Sequence, residues 1–244
     1  MTDPSSISFR REWVFLDAGD TFIYAYPTLY EAIRDCWRTQ GSDIEIQTIQ
    51  EEVGRYLKRN PPADLNTQEK FTHYFRTLYR EMLESLSYPG VVECGMETLW
   101  AEWETGKRLR LFEDALPALI RLRDAGFALG TVSNWDETFE SVLERLGVAG
   151  LFQVILASCR IGIAKPNRGI FERALSAAGA LPEQSWFLGD QPEVDTQPAR
   201  ILGMKTILVN YYKKKVDPNA ADFIVPHLSA AVEIIMNRNL IDAR

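Results

Sequence analysis

Residues 14–22 read VFLDAGDTF, a short apolar run that ends on Asp17 with Asp20 and Thr21 just beyond. A buried parallel strand has this appearance. A carboxylate at the C-terminal tip of such a strand stands in the crevice where open α/β sheets bind ligands. One strand end of this kind is common, because strands often run into Asp and Gly for turn reasons alone. Three further polar signals follow other apolar runs, however: GTVSN at 130–134, Lys-Pro at 165–166 and FLGD at 187–190. Four signals at four strand-to-helix junctions place polar chemistry along one edge of a sheet.

The chain has 244 residues, enough for a large α/β domain or for a core with a modest insertion. Its formal charge of −7 offers no electrostatic footprint for nucleic acid or an anionic membrane, so neither is expected as a partner. Lys213–Lys215 interrupts that balance and reads as a solvated loop after a strand. No apolar stretch approaches the roughly 20 residues of a membrane span, and the opening MTDPSSISFRR lacks the marks of a signal peptide. Cys36, Cys94 and Cys159 are scattered and without metal-ligand spacing, which fits a reducing cytoplasm and no role for any of them.

From about Thr28 to Leu111 the periodicity is almost wholly helical. Four stripes recur: Leu29, Ile33 and Trp37; Ile46, Ile49, Val53 and Leu57; Phe71 to Met82; and Met96 to Trp103. Turn residues separate them at Gly41-Ser42, Asn60-Pro61-Pro62 and Tyr88-Pro89-Gly90. The strand before this block needs sheet partners, and they occur only downstream. The block therefore reads as an all-helical insertion. From Asp114 onward helices and strands alternate, with Asp114 and Asp136 in position to cap helices. Strands are expected at 127–133, 154–157, 186–189, 206–209 and 223–225, with a helix over 194–202. The fold class is α/β, a doubly wound parallel sheet with an inserted helical cap. The expected boundaries are 1–24 and 112–244 for the core and 25–111 for the cap.

Asp17 and Asp190 come from different strands. On neighbouring strands their carboxylates converge, which is costly without a cation, and hard oxygen donors favour Mg²⁺. Thr21 and Ser133 add hydroxyls and Lys165 a positive charge. Together these are the parts of phosphoryl transfer through an aspartyl-phosphate. With these residues in view, the chain resembles the haloacid dehalogenase-like (HAD) superfamily, in the subfamily whose helical cap lies between the first two motifs. The first motif, usually DxDxT, is here Asp17-Ala18-Gly19-Asp20-Thr21. The second is Ser133-Asn134, the third Lys165, and the fourth Gly189-Asp190 with Asp195 five residues on.

The resemblance implies a Rossmann-like core, a Mg²⁺ cofactor and a small phosphorylated substrate. Asp17 would be the nucleophile and a metal ligand, with Asp190, Asp195 and the Gly19 carbonyl completing the metal set. Asp195 would sit near the metal or hold Lys165. Ser133 and Lys165 would bind phosphoryl oxygens, with Asn134 and Asp20 as further substrate-binding candidates. Thr21 would brace the loop or cap a helix. Tyr24 and Tyr26 are candidates for a hinge or lid, and Trp135 for the cap face or the core. His73 and His227 read as structural.

One departure matters. Phosphatases of this superfamily usually carry a second Asp two residues after the nucleophile, as general acid for the leaving group. Here that residue is Gly19. Loss of a general acid costs ~10²–10⁴ in rate, about 3–5 kcal/mol of barrier. The resemblance therefore implies a slow phosphatase. The alternatives are a catalytically impaired protein that binds a phosphorylated ligand or partner and, further off, haloacid dehalogenase or phosphonatase chemistry.

Overall fold

A computed structural model describes residues 11–62 and 64–242. The opening residues Met1–Arg10 and the last two of the expected core segment lie outside the described residues. Strand β1 (Trp13–Leu16) runs through the middle of a six-stranded parallel sheet. The sheet order is β5 (Val154–Ala157), β4 (Ala128–Ser133), β1, β6 (Ser185–Gly189), β7 (Lys205–Val209) and β8 (Phe223–Val225). Leu16 pairs with Thr131 on one side and Leu188 on the other. That register brings the ends of β4, β1 and β6 to one edge. The chain order reverses between β1 and β6, the point in such sheets where ligands bind.

The apolar run of β1 is continuous because helices cover both faces. Val14 and Leu16 point into a core with α5 (Ala115–Asp124), α6 (Phe139–Arg145) and α10 (Leu228–Asp242). Trp13 and Phe15 point into another with α8 (Arg168–Ala178), which follows β5 and the single turn α7 (Ser158–Ile161), and with α9 (Gln197–Ile201). Packing on the second face is tight. A Cβ at Gly130 in β4 would lie 2.5 Å from the ring of Phe15.

Between β2 (Ile23–Ala25) and β3 (Leu109–Leu111) the chain builds four helices: α1 (Leu29–Thr39), α2 (Ile46–Arg59), α3 (Gln68–Ser85) and α4 (Val92–Glu104). They bury a cluster of their own that includes Ile33, Trp37, Ile49, Phe71, Leu78 and Trp100. In the α2 stripe Tyr56 is buried where Leu57 was expected, and Leu57 faces outward. Helix α1 begins at a reciprocal capping box between Thr28 and Glu31.

Several expectations are corrected. The helical run stops at Glu104 rather than Leu111, because Leu109–Leu111 pairs antiparallel with Ile23–Ala25 to close the neck of the insertion. Three residues are too few to show alternation. Asp114 does not cap α5. Its carboxylate accepts from the Tyr211 hydroxyl at 2.6 Å and from the Ser229 amide at 2.7 Å, satisfying an orphan donor at the start of α10 instead. The expected helix over 194–202 is a π-helical turn, Pro192–Thr196, followed by the short α9. Pro198 at the start of α9 supplies no backbone N–H to a continuous α-helix. No helix among the described residues is long and apolar enough to cross a membrane.

Gly130→Ala is expected to destabilise the fold by about 1–3 kcal/mol, because Phe15 is fully buried and has nowhere to retreat. Urea unfolding measures the loss, and adding Phe15→Leu should recover part of it. Full additivity of the two substitutions would show that the contact is not what excludes the side chain.

Candidate active site

Asp17 leaves the end of β1 with its amide bonded to the Leu188 carbonyl of β6 at 2.8 Å. Its Oδ1 accepts from Ser133 Oγ at 2.9 Å and Lys165 Nζ at 2.5 Å. Among the described residues Oδ2 carries no hydrogen bond, so one oxygen is held and the other is available. Lys165 Nζ also donates to Asp195 Oδ1 at 2.7 Å. Burial pulls the Lys165 pKa down, but Asp17 and Asp195 outweigh it and the ammonium stays charged.

Asn134, expected to touch substrate, turns both ends of its amide to the main chain of Lys165. Nδ2 donates to the Lys165 carbonyl at 2.8 Å and Oδ1 accepts from the Lys165 amide at 2.7 Å. It fixes the lysine backbone across from β4. Asp195 is committed too, with Oδ1 on Lys165 and Oδ2 on the Gln191 amide at 3.1 Å. Its carboxylate crosses Gly189, where a Cβ would lie 2.4 Å from that of Asp195, so only glycine fits beneath it. Of the two roles expected for Asp195, holding Lys165 is the one its hydrogen bonds describe.

Asp190 stands apart from these bonds. Its Oδ1 is buried and has no partner among the described residues. Its Oδ2 accepts from Lys214 Nζ at 3.4 Å. Carboxylate oxygens of Asp17, Asp190 and Asp195 all lie within 4.8 Å of one another. Burial, then the charges of Asp17, Asp195 and Asp20, push the Asp190 pKa up to about 8. A buried carboxylate with an orphaned oxygen beside two others is the kind of group that can take up a cation.

Gly19 lines the cavity at this edge, and a Cβ there would meet nothing within 4 Å. Asp20 takes the left-handed conformation, φ 53°, which Asp tolerates better than most residues. Its Oδ1 accepts from the Tyr212 hydroxyl at 3.2 Å, and burial raises its pKa against the pull of Lys214. Thr21 neither caps a helix nor bonds the loop through its side chain. Its Oγ1 is buried without a partner among the described residues. Tyr24 stacks on Phe112 at 4.8 Å beside the β2–β3 neck, and Tyr26 is exposed; neither lines the cavity.

The cavity above Asp17 has a volume of about 290 Å³. Ser133, Lys165 and Asp195 form its floor, and Leu65, Phe71, Phe75 and Trp103 of the insertion form its roof. Trp135 joins them from the core, stacked on Trp103 at 5.2 Å. Tyr212, Lys214 and this roof were not legible in the sequence. The lysine sits in a run that reads as solvated, and the aromatics sit in stripes that read as helix packing. The spacing of Phe71 and Phe75, one turn apart, was the available signal.

A doubly wound sheet with acids and a lysine gathered at its switch point defines the class of protein. The particular family follows from comparison: the profile of the haloacid dehalogenase-like hydrolases matches residues 43–209, and the chain belongs to that family. It is 32% identical over 147 residues to a phosphoserine phosphatase of Thermus thermophilus, a stretch that covers 59% of this chain and 57% of the relative. It is 29% identical over 241 residues to a glyceraldehyde 3-phosphate phosphatase of Pyrococcus furiosus, covering 94% of this chain and 95% of that one. The structure of a HAD phosphatase from Thermococcus onnurineus superposes with TM-score 0.65 at 21% identity, over 92% of this chain and 97% of that one.

The raised pKa of Asp190 fixes the sign of a pH effect. In metal-free protein the folded state keeps this proton up to about pH 8, whereas the unfolded chain releases it near 3.8. The folded state thus binds more protons across that window, and its stability falls as pH rises through it. Glu31, Asp43, Asp114 and Glu233 are shifted downward and act below their ordinary values, outside the upper part of the window. Melting in EDTA should give a lower Tm at pH 8 than at pH 5, and Mg²⁺ should raise Tm more at pH 8. A metal-free Tm that climbs between those values would contradict the assignment.

Proposed function

We propose that this protein is a Mg²⁺-dependent phosphatase that acts on a small phosphorylated metabolite through an aspartyl-phosphate on Asp17. The observation that carries the reading is the split state of the Asp17 carboxylate. Oδ1 is pinned by Ser133 and Lys165, while Oδ2 has no hydrogen-bond partner among the described residues, at the floor of the cavity. The names of the similar phosphatases from Thermus thermophilus and Pyrococcus furiosus point the same way.

The donor set suits the metal. Three carboxylates within 4.8 Å and an orphaned Asp190 oxygen are hard ligands of the kind Mg²⁺ takes. Asp17, Asp190 and the Gly19 carbonyl would hold it, with Asp195 alongside. When bound, it supplies charge neutralisation and polarises a phosphoryl oxygen. The chain's own groups do the rest. Lys165 and Ser133 position Asp17 and reach the phosphoryl oxygens, Asn134 and Asp195 keep Lys165 in place, and the roof excludes water.

Residues 25–111 act as the cap over a core of 1–24 and 112–244. Polar ties hold it down: Trp103 Nε1 donates to Asp136 at 2.9 Å, Ser158 Oγ to the Leu65 carbonyl at 2.7 Å, and the Glu137 amide to Gln68 at 2.9 Å. The second reading, a protein that holds a phosphorylated ligand without turnover, draws on Gly19 and on Asp20, whose side chain is engaged by Tyr212.

Mg²⁺-dependent hydrolysis of p-nitrophenyl phosphate should be measurable, and Asp17→Asn should reduce it by ~10³-fold or more. Hydrolysis that survives in Asp17→Asn would remove the aspartyl-phosphate from the account. Gly19→Asp, which the open space above position 19 accommodates, should raise turnover of alkyl phosphates by ~10²-fold or more. Unchanged alkyl turnover in a folded Gly19→Asp would show that the missing carboxylate is not what limits the reaction.

A further inference from the structure

We propose that the substrate is a phosphate monoester of an aromatic alcohol, its phosphoryl group at Asp17 and its ring against the aromatic roof; this rests on the phosphatase reading. Two independent features of the site converge on that class. One is what the roof offers to the alcohol part, and the other is what the floor withholds from the leaving group.

The roof is built of aromatic rings packed on one another, with Phe71 and Trp135 almost wholly buried and Phe75 and Trp103 partly exposed. Phe75 stacks on Trp103 at 5.8 Å with 13° between ring planes, Phe71 lies 4.6 Å from Phe75, and Trp103 passes the stack to Trp135 at 5.2 Å. Leu65 extends it. Polar recognition is sparse by comparison. Asp64, the charge that the insertion brings to the wall, is paired with Lys70. Among the described lining residues the one cation is Lys165, already shared between Asp17 and Asp195. No free cation awaits a substrate carboxylate, and a wall of this kind favours a flat apolar group. A volume of about 290 Å³ lies at the small end for ligand cavities, which suits a phosphoryl group with a single ring and disfavours a nucleotide.

The floor selects through chemistry. With Gly19 in place of the usual acid, no side chain at that position protonates the departing oxygen. A phenolic oxygen leaves as its anion with a conjugate-acid pKa of about 10, whereas an alkyl alcohol lies near the roughly 15.7 of water. Asp17 Oδ2 attacks phosphorus, the phosphorus–oxygen bond to the ring breaks, and its electron pair leaves on the phenolate, which takes a proton from water. Water then cleaves the aspartyl-phosphate, restoring Asp17 and releasing inorganic phosphate. The sum is ester plus water to phenol plus phosphate, with no acid required from position 19. Tyr212 does not fill the gap, because its hydroxyl donates to Asp20.

Binding and turnover test this separately. Titration of the wild-type protein with benzylphosphonate and methylphosphonate in Mg²⁺, followed by tryptophan fluorescence, should show the benzyl compound bound about tenfold tighter or more. Phe75→Ala, with Phe75→Leu as the milder change, should shrink that ratio. In turnover, phenyl phosphate should exceed glycerol 3-phosphate in kcat/KM by ~10²-fold or more, and Gly19→Asp should narrow the gap. Equal affinities for the two phosphonates, or equal turnover of the two esters, would overturn the inference while leaving a phosphatase. Hydrolysis of neither ester, with neither phosphonate bound, would overturn the phosphatase reading along with it.

Discussion

Three buried carboxylates, those of Asp17, Asp190 and Asp195, are held within 4.8 Å of one another at the tips of β1 and β6. In a partly dehydrated site such a cluster repels itself strongly, and the chain must hold it together against that repulsion. Lys165 neutralises one side by bridging Asp17 and Asp195. Asn134 locks the lysine main chain, and Gly189 leaves room for Asp195 to cross the strand end. The other side, around Asp190, is left with an orphaned oxygen and a pKa pushed to about 8. The site is thus asymmetric: Lys165 and its supports satisfy one half, whereas at Asp190 only Oδ2 meets a protein cation, Lys214 at 3.4 Å.

The sheet explains why these residues meet at all. Parallel strands buried on both faces must be apolar along their length, so polar chemistry is confined to their ends. With β1 between β4 and β6, three of those ends fall side by side. The insertion leaves from the loop that follows Asp17 and returns through the β2–β3 neck, so its roof lies over the same point. The floor of the cavity thus comes from the core and its roof from the insertion.

Much of this was legible in the residues. The polar strand ends read from the sequence at Asp17, Ser133 and Asp190 sit at the site, because an apolar run broken by a polar residue is a strong local signal. Lys165 also reaches the site, but from the loop before α8, eight residues past β5, and not from a strand-to-helix junction as expected. The four insertion helices were legible for the same reason, through their stripes. What escaped was set by tertiary contact. Leu109–Leu111 is a strand only because Ile23–Ala25 lies beside it. Asp114 serves α10 rather than α5, a partnership across more than a hundred residues. Lys214 looks like any solvated lysine until the 210–215 loop folds over Asp190. Phe71, Phe75 and Trp103 belong to the buried stripes of α3 and α4 yet also line a cavity, and periodicity alone does not distinguish the two.

On the proposed reading the acidic cluster holds a divalent cation. Calorimetric titration of the purified protein with Mg²⁺, beside Asp190→Asn, tests it most directly. Saturable binding by the wild type is expected, with an affinity lowered ~10-fold or more in the variant and both proteins equally folded by circular dichroism. Wild-type protein that takes up no Mg²⁺, or a variant that binds it equally well, would rule out a cation site at Asp190.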